Sequence, residues 1–319
     1  MTAASGQPDA SHRFGARLIQ TGLDNAPASP APNATPTPPP ADTSPQNDHA
    51  GNDSSQNSRV PCDKVTFTRG VKYGGDSMNV LDAATAQTNP TARRPVVVFV
   101  AGDSFKDDRT AAALKPLVEQ AMCFAASNGL VAFNVSYRPA PAATWPAGAK
   151  DVAAAISWVY ENADLFGGNG QEIIPIGYGA GAFHVASFLA HKELQYKDDY
   201  VAGAVLVSGI YHPTPDIGEG ERAYFGNDAS TYDKRSAIPG LTAIEVPIVL
   251  AWSSVDTPGF IAQGEKLKDQ LCNAGHCPRV AVLKEHSTPA SVFDLDGASP
   301  ALHERLRQLI AQLDARGLP

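Results

Sequence analysis

From Val96 onward, short runs of consecutive apolar residues alternate with longer stretches in which apolar residues recur every three or four positions. The first pattern suits strands buried on both faces and the second suits helices that cover them. Their alternation predicts an α/β domain with a mostly parallel central sheet and helices on both faces. Val96-Val97-Val98-Phe99-Val100 is the clearest buried strand, and Leu114, Leu117, Val118, Ala121, Met122 and Ala125 follow at helical spacing, with Gly129 placed to stop the helix. Leu130 to Val135 predicts another strand, and an Ala-rich helix over 147–163 sets Val152, Ile156 and Val159 on one face. A strand over 173–176 then runs into a helix over 182–191. Further strands are predicted at 204–207, 247–251 and 279–283, and Leu302, Leu306, Leu309, Ile310 and Leu313 mark a closing amphipathic helix.

Residues 1–60 break this pattern. They are rich in Pro, Ala, Ser, Thr, Asn and Asp, carry Pro38, Pro39 and Pro40 in a row, and have almost no large apolar side chain after Leu23. Such a segment cannot bury enough apolar surface to offset about 1–2 kcal/mol of backbone ordering entropy per residue. A mobile tail with local polyproline character is expected, leaving 61–319 as one folded domain.

Composition narrows the classes of function. The formal net charge is −8, without a dense Lys/Arg block, so nucleic acid is not an expected partner. No run approaches the length of a membrane span, and no basic segment followed by an apolar stretch opens the chain, which argues against Sec-type export. The tail's composition resembles the leaders of bacterial proteins injected through specialised secretion systems. The expected location is therefore the cytoplasm, or outside the cell by a non-Sec route. In a cytosolic protein Cys62, Cys123, Cys272 and Cys277 are expected to be free thiols, whereas an oxidising compartment would let Cys272 and Cys277 pair across the turn-like stretch between them. His276 with those two cysteines makes only three metal ligands at cramped spacing, so no metal is expected, and nothing implies a cofactor.

The most informative segment is Gly177-Tyr178-Gly179-Ala180-Gly181, between the strand at 173–176 and the helix at 182–191. In a G-x-S-x-G nucleophile elbow the central serine sits on a strained strand-to-helix turn that lifts its hydroxyl above the sheet. Here glycine occupies the centre.

Several further motifs carry a family resemblance. They are Tyr137-Arg138, Trp145-Pro146 leading to Asp151, Gly181-Ala182-Phe183-His184-Val185-Ala186, Ser208-Gly209-Ile210-Tyr211, Tyr224-Phe225-Gly226 and Asp256-Thr257-Pro258. With the order of strands and helices, they make residues 65–315 similar to the bacterial carboxylesterase and feruloyl-esterase-like branch of the α/β-hydrolase superfamily, and to the hormone-sensitive lipases and kynurenine formamidases. The resemblance implies a serine carboxylesterase fold. It places the nucleophile at Gly179, the triad acid at Asp256 and the triad base at Thr288, with His286 two residues earlier as the candidate if the alignment slips. The family's oxyanion loop H-G-G becomes Ala101-Gly102-Asp103, with Gly102 and Ala180 as N–H donors and Asp103 setting a carboxylate where negative charge would develop. Tyr178, beside the central glycine, is a candidate ligand contact or simply the variable position of the motif.

Losing nucleophile, base and oxyanion-loop histidine together implies a hydrolase scaffold without serine chemistry. Three readings stay open: a module holding an ester-like or aromatic small molecule, as gibberellin receptors do on a related scaffold; an exported effector or interaction protein with a protein partner; or an altered ester hydrolase using His286, Asp256 and water.

Overall fold

Residues 62–87, 93–102, 104–106, 109–195, 201–283 and 300–315 are described by the computed structural model. The expected tail lies outside them. So do Asp103, His286 and Thr288.

The Val96 to Val100 run forms the middle of β3 (Arg94–Gly102), at the centre of an eight-stranded sheet. Before it come β1 (Val65–Lys72) and β2 (Val80–Ala86). After it follow α1 (Arg109–Ser127), β4 (Val131–Val135), α2 (Ala147–Asn162), β5 (Gly168–Gly179), α3 (Ala180–Ala190) and β6 (Ala204–Val207). Three short helices, α4 (Glu219–Phe225), α5 (Tyr232–Arg235) and α6 (Ile238–Leu241), precede β7 (Ile248–Ser253), α7 (Pro258–Asn273), β8 (Arg279–Leu283) and α8 (Pro300–Ala315). The strand order is β1-β2-β4-β3-β5-β6-β7-β8; β1 and β2 pair antiparallel with each other, β2 pairs antiparallel with β4, and every later pairing is parallel.

Alternation along the strands splits the core in two. Val96, Val98 and Val100 point to the side covered by α2, α3 and α7, whereas Val97 and Phe99 point to the side covered by α1 and α8. All five are 1% exposed or less, as strands covered on both faces require.

Two disulfides depart from the expectation of free thiols. Cys272 bonds Cys277 at the end of α7, the pairing considered for an oxidising compartment. Cys62 bonds Cys123, fully buried within α1, and so ties the segment leading into β1 to the helix covering the sheet. No cysteine is free. Among the described residues, no helix is long and apolar enough to cross a membrane.

Candidate functional site

Parallel register gathers the informative segments at one edge of the sheet. Gly102, the last residue of β3, pairs with Gly179, the last of β5, while Tyr178 pairs with both Ala101 and Val207. Val207 pairs in turn with Ala251 of β7. The segments leaving β3, β5, β6 and β7 therefore emerge side by side at the carboxyl ends of the strands, where open parallel sheets hold their ligands.

The turn after β5 is as sharp as the sequence predicts. Gly179 has φ 57° and ψ −121°, and α3 begins at the next residue. That backbone conformation is open to glycine and strained for any residue with a Cβ. The outer glycines answer a different demand, the close approach of α3 to the strands. A Cβ on Gly177 would lie 2.5 Å from Ala182 Cα, and one on Gly181 would lie 1.9 Å from the Val100 carbonyl oxygen. The turn has the strand-to-helix backbone expected of the motif, and Gly179 at its centre carries no side chain.

Around the turn, Ala180 is the first residue of α3, so its N–H has no acceptor inside the helix. Gly102 is packed against Tyr137, whose hydroxyl would lie 1.9 Å from a Cβ placed there. Tyr178 is 7% exposed and belongs to the apolar core on the α1 face, so the variable position of the motif serves packing.

Asp256 follows β7 and points back across the strand ends. Its Oδ2 accepts hydrogen bonds from the Ser208 hydroxyl at 2.6 Å and from the Ser253 N–H at 2.9 Å. Ser208, directly after β6, is the one described non-glycine residue with positive φ, at 47°. Left-handed backbone costs a serine roughly 1–3 kcal/mol, and a charge-assisted hydrogen bond of about 1.5–3 kcal/mol is of the size needed to hold it there. Sequence reading singled out both residues without connecting them, because nothing local signals a contact between residues 48 apart.

The Tyr137-Arg138 and Trp145-Pro146 motifs also gain a physical reason. Arg138 Nε lies 3.1 and 2.9 Å from the two oxygens of Asp151, its Nη2 lies 2.7 Å from Oδ1, and the Arg138 backbone N–H donates to Oδ2 at 2.9 Å. The carboxylate is buried, and this fork fastens the loop after β4 to α2.

His184, on α3, is enclosed by the rings of Phe105, Tyr137, Phe183 and Tyr224 at centroid distances of 4.4–6.1 Å. It lies against Gly148, where even a Cβ would come within 2.4 Å of the imidazole. Loss of hydration pushes its pKa from 6.5 down to about 3. The unfolded chain takes a proton below about pH 6.5 that the folded chain refuses until about pH 3. The resulting stability is complete above the unfolded value and is lost as pH falls between the two. Urea unfolding of the wild type and of His184→Gln at about pH 7.5 and about pH 4.5 should show a smaller loss on acidification in the variant; an equal loss would count against a neutral, caged imidazole.

Comparison with known proteins agrees with this architecture. A family model described as BD-FAE matches residues 81–206. Esterase LipC of Mycobacterium tuberculosis is 32% identical over 170 residues, covering 51% of this chain and 41% of that protein. Esterase LipQ of the same organism is 29% identical over 210 residues, covering 62% and 48%. The matches thus span less than half the length of these curated relatives. Esterase B from Lactobacillus rhamnosis superposes with a TM-score of 0.65 at 17% identity, covering 81% of this chain and 88% of that one. A truncated carbohydrate esterase from gut microbiota gives 0.65 at 18% identity, covering 78% and 96%.

The chain has the α/β-hydrolase fold and is similar to its carboxylesterase-like members. In this chain the motifs shared with those proteins serve as steric and ionic parts of the scaffold: Gly177 and Gly181 seat α3, and Arg138 holds Asp151. Among its described residues, no group of three or more His, Cys, Asp or Glu side chains is arranged to hold a metal ion.

Proposed function

We propose that this hydrolase-fold protein has lost serine-esterase chemistry and holds an ester-like or aromatic small molecule above its sheet. The observation that carries the reading is Gly179: an elbow backbone with φ 57° and no side chain to form an acyl intermediate. Asp256 supports it. Its carboxylate anchors Ser208 and the turn after β7, a role that needs no histidine. Thr288 at the base position and Asp103 in the oxyanion loop extend the loss across the site. Rates fall by roughly a million-fold when a triad nucleophile or base is removed, leaving only what the rest of the site supplies.

The test is incubation with short-chain p-nitrophenyl esters and a fluorophosphonate probe. Wild-type turnover should equal that of an Asp256→Ala control, and no covalent adduct should form. Gly179→Ser combined with Thr288→His should return weak turnover, and adding Asp103→Gly should raise it. Wild-type hydrolysis clearly above the control would overturn the proposal and favour the altered hydrolase built on His286 and Asp256.

A further inference from the structure

A cavity of about 450 Å³ opens beside the candidate site, where the carboxyl ends of β3 and β4 meet α1. It shares Ala101 and Gly102 with the end of β3, and neither Gly179 nor Asp256 is among its described walls. Its size is that of an ordinary small-molecule pocket. The walls divide by chemistry. Val80, Leu114, Val118 and Met78 supply an apolar surface. Leu114 and Val118 are buried, while Met78 is 40% exposed, one of the few large apolar side chains left open to solvent on the described surface.

The polar groups are unequally committed. Three cations, Arg69, Lys106 and Lys115, line the cavity against a single described carboxylate, Asp82. Asp82 is engaged on both oxygens, accepting from the Gly70 N–H at 2.8 Å and from Arg69 at 3.3 Å. Arg69 also donates to Glu119 at 2.7 Å, and Lys106 pairs with Glu219. Lys115 makes no ion pair with any described residue, and the Asn134 amide, also on the wall, makes no hydrogen bond to one. The wall's own carboxylate is consumed, and an ammonium and an amide remain beside an apolar floor. A ligand that answers both needs has one anionic acceptor group and an apolar body.

We propose that this cavity binds a monocarboxylic acid, its carboxylate held by Lys115 and Asn134 and its chain or ring lying on Met78, Val80, Leu114 and Val118. This goes beyond the esterase-derived reading, because the acid can occupy the cavity whether or not the turn at Gly179 cleaves esters. Ester assays therefore leave the inference untouched, and binding assays leave the question of hydrolysis untouched.

The experiment is calorimetric titration of the full chain with octanoate, alongside octanol and octylammonium. Octanoate should bind saturably and more tightly than either comparator, with affinity falling as salt rises. Lys115→Glu, an exposed change, should weaken octanoate binding by about tenfold or more. Val118→Trp, which fills the floor, should abolish it; if that variant fails to fold, Lys115→Glu and the salt series still decide. Absence of saturable octanoate binding, tighter binding of octylammonium, or unchanged affinity in Lys115→Glu would overturn the proposal.

Discussion

Gly181→Ala should destabilise the domain by at least about 3 kcal/mol, or prevent it from folding. Two effects compete. Alanine is the better helix former by about 1 kcal/mol, and Gly181 lies in the first turn of α3. Against this, the new Cβ would sit 1.9 Å from the Val100 carbonyl oxygen, 2.6 Å from its carbon and 3.2 Å from the Ala101 nitrogen. Those atoms are backbone of the central strand, so the clash can be relieved only by lifting α3 from the sheet. The steric effect wins. Gly259→Ala is the matching control, a helical glycine in α7 whose nearest neighbour to an added Cβ is the Thr257 hydroxyl at 4.0 Å. It should be neutral or slightly stabilising. Urea midpoints for the two variants check the pair, and a Gly181→Ala protein as stable as wild type would refute the close-approach account of the motif.

Opening the Cys62–Cys123 bond should cost about 4 kcal/mol, because the bond closes a loop 61 residues apart and removes that much conformational freedom from the unfolded chain. The same relation gives only about 2 kcal/mol for Cys272–Cys277, whose partners are five residues apart. Domains of this kind are stable by about 5–15 kcal/mol in total, so the first loss is a large fraction. Unfolding curves of wild type, of Cys62→Ala with Cys123→Ala, and of Cys272→Ala with Cys277→Ala should rank in that sense, the first pair being the more damaging. Equal effects would sink the loop-closure argument. Cystines of this kind persist in oxidising surroundings. Of the two destinations the sequence leaves open, the exported one would preserve them.

Much of the architecture is legible in the sequence, because its signals are short-range. The run from Val96 to Val100 declares a strand covered on both faces, and the segment from Gly177 to Gly181 declares a sharp strand-to-helix turn. β1 and β2 are less legible. Their inward residues alternate with Thr66, Thr68, Asp82 and Thr85, and Gly70, at φ 66°, interrupts the ladder. α7 hides for a similar reason, since only Gly264, Leu267 and Leu271 along its 16 residues are buried. The Cys62–Cys123 pairing was beyond reach because cysteine spacing does not fix connectivity. At the candidate site, the glycine turn and Asp256 could be found from motifs. The hydrogen bond from Ser208 to Asp256 could not, since it joins two strand ends that only the folded sheet brings together. The placement of Lys115 on the same cavity wall as Val80 and Asn134 is equally invisible, being set by how α1 lies across β2, β3 and β4.

The backbone at Gly179 bears on evolutionary history as well as chemistry. A serine held at φ 57° and ψ −121° would carry roughly 1–3 kcal/mol of strain, which an active hydrolase tolerates because the strain displays its nucleophile. Glycine adopts the same angles without that strain. On the proposed loss of serine chemistry, replacing a nucleophile by glycine would release the scaffold from one stability–activity trade-off, and the slack gained would absorb mildly destabilising substitutions elsewhere that a working esterase has to purge.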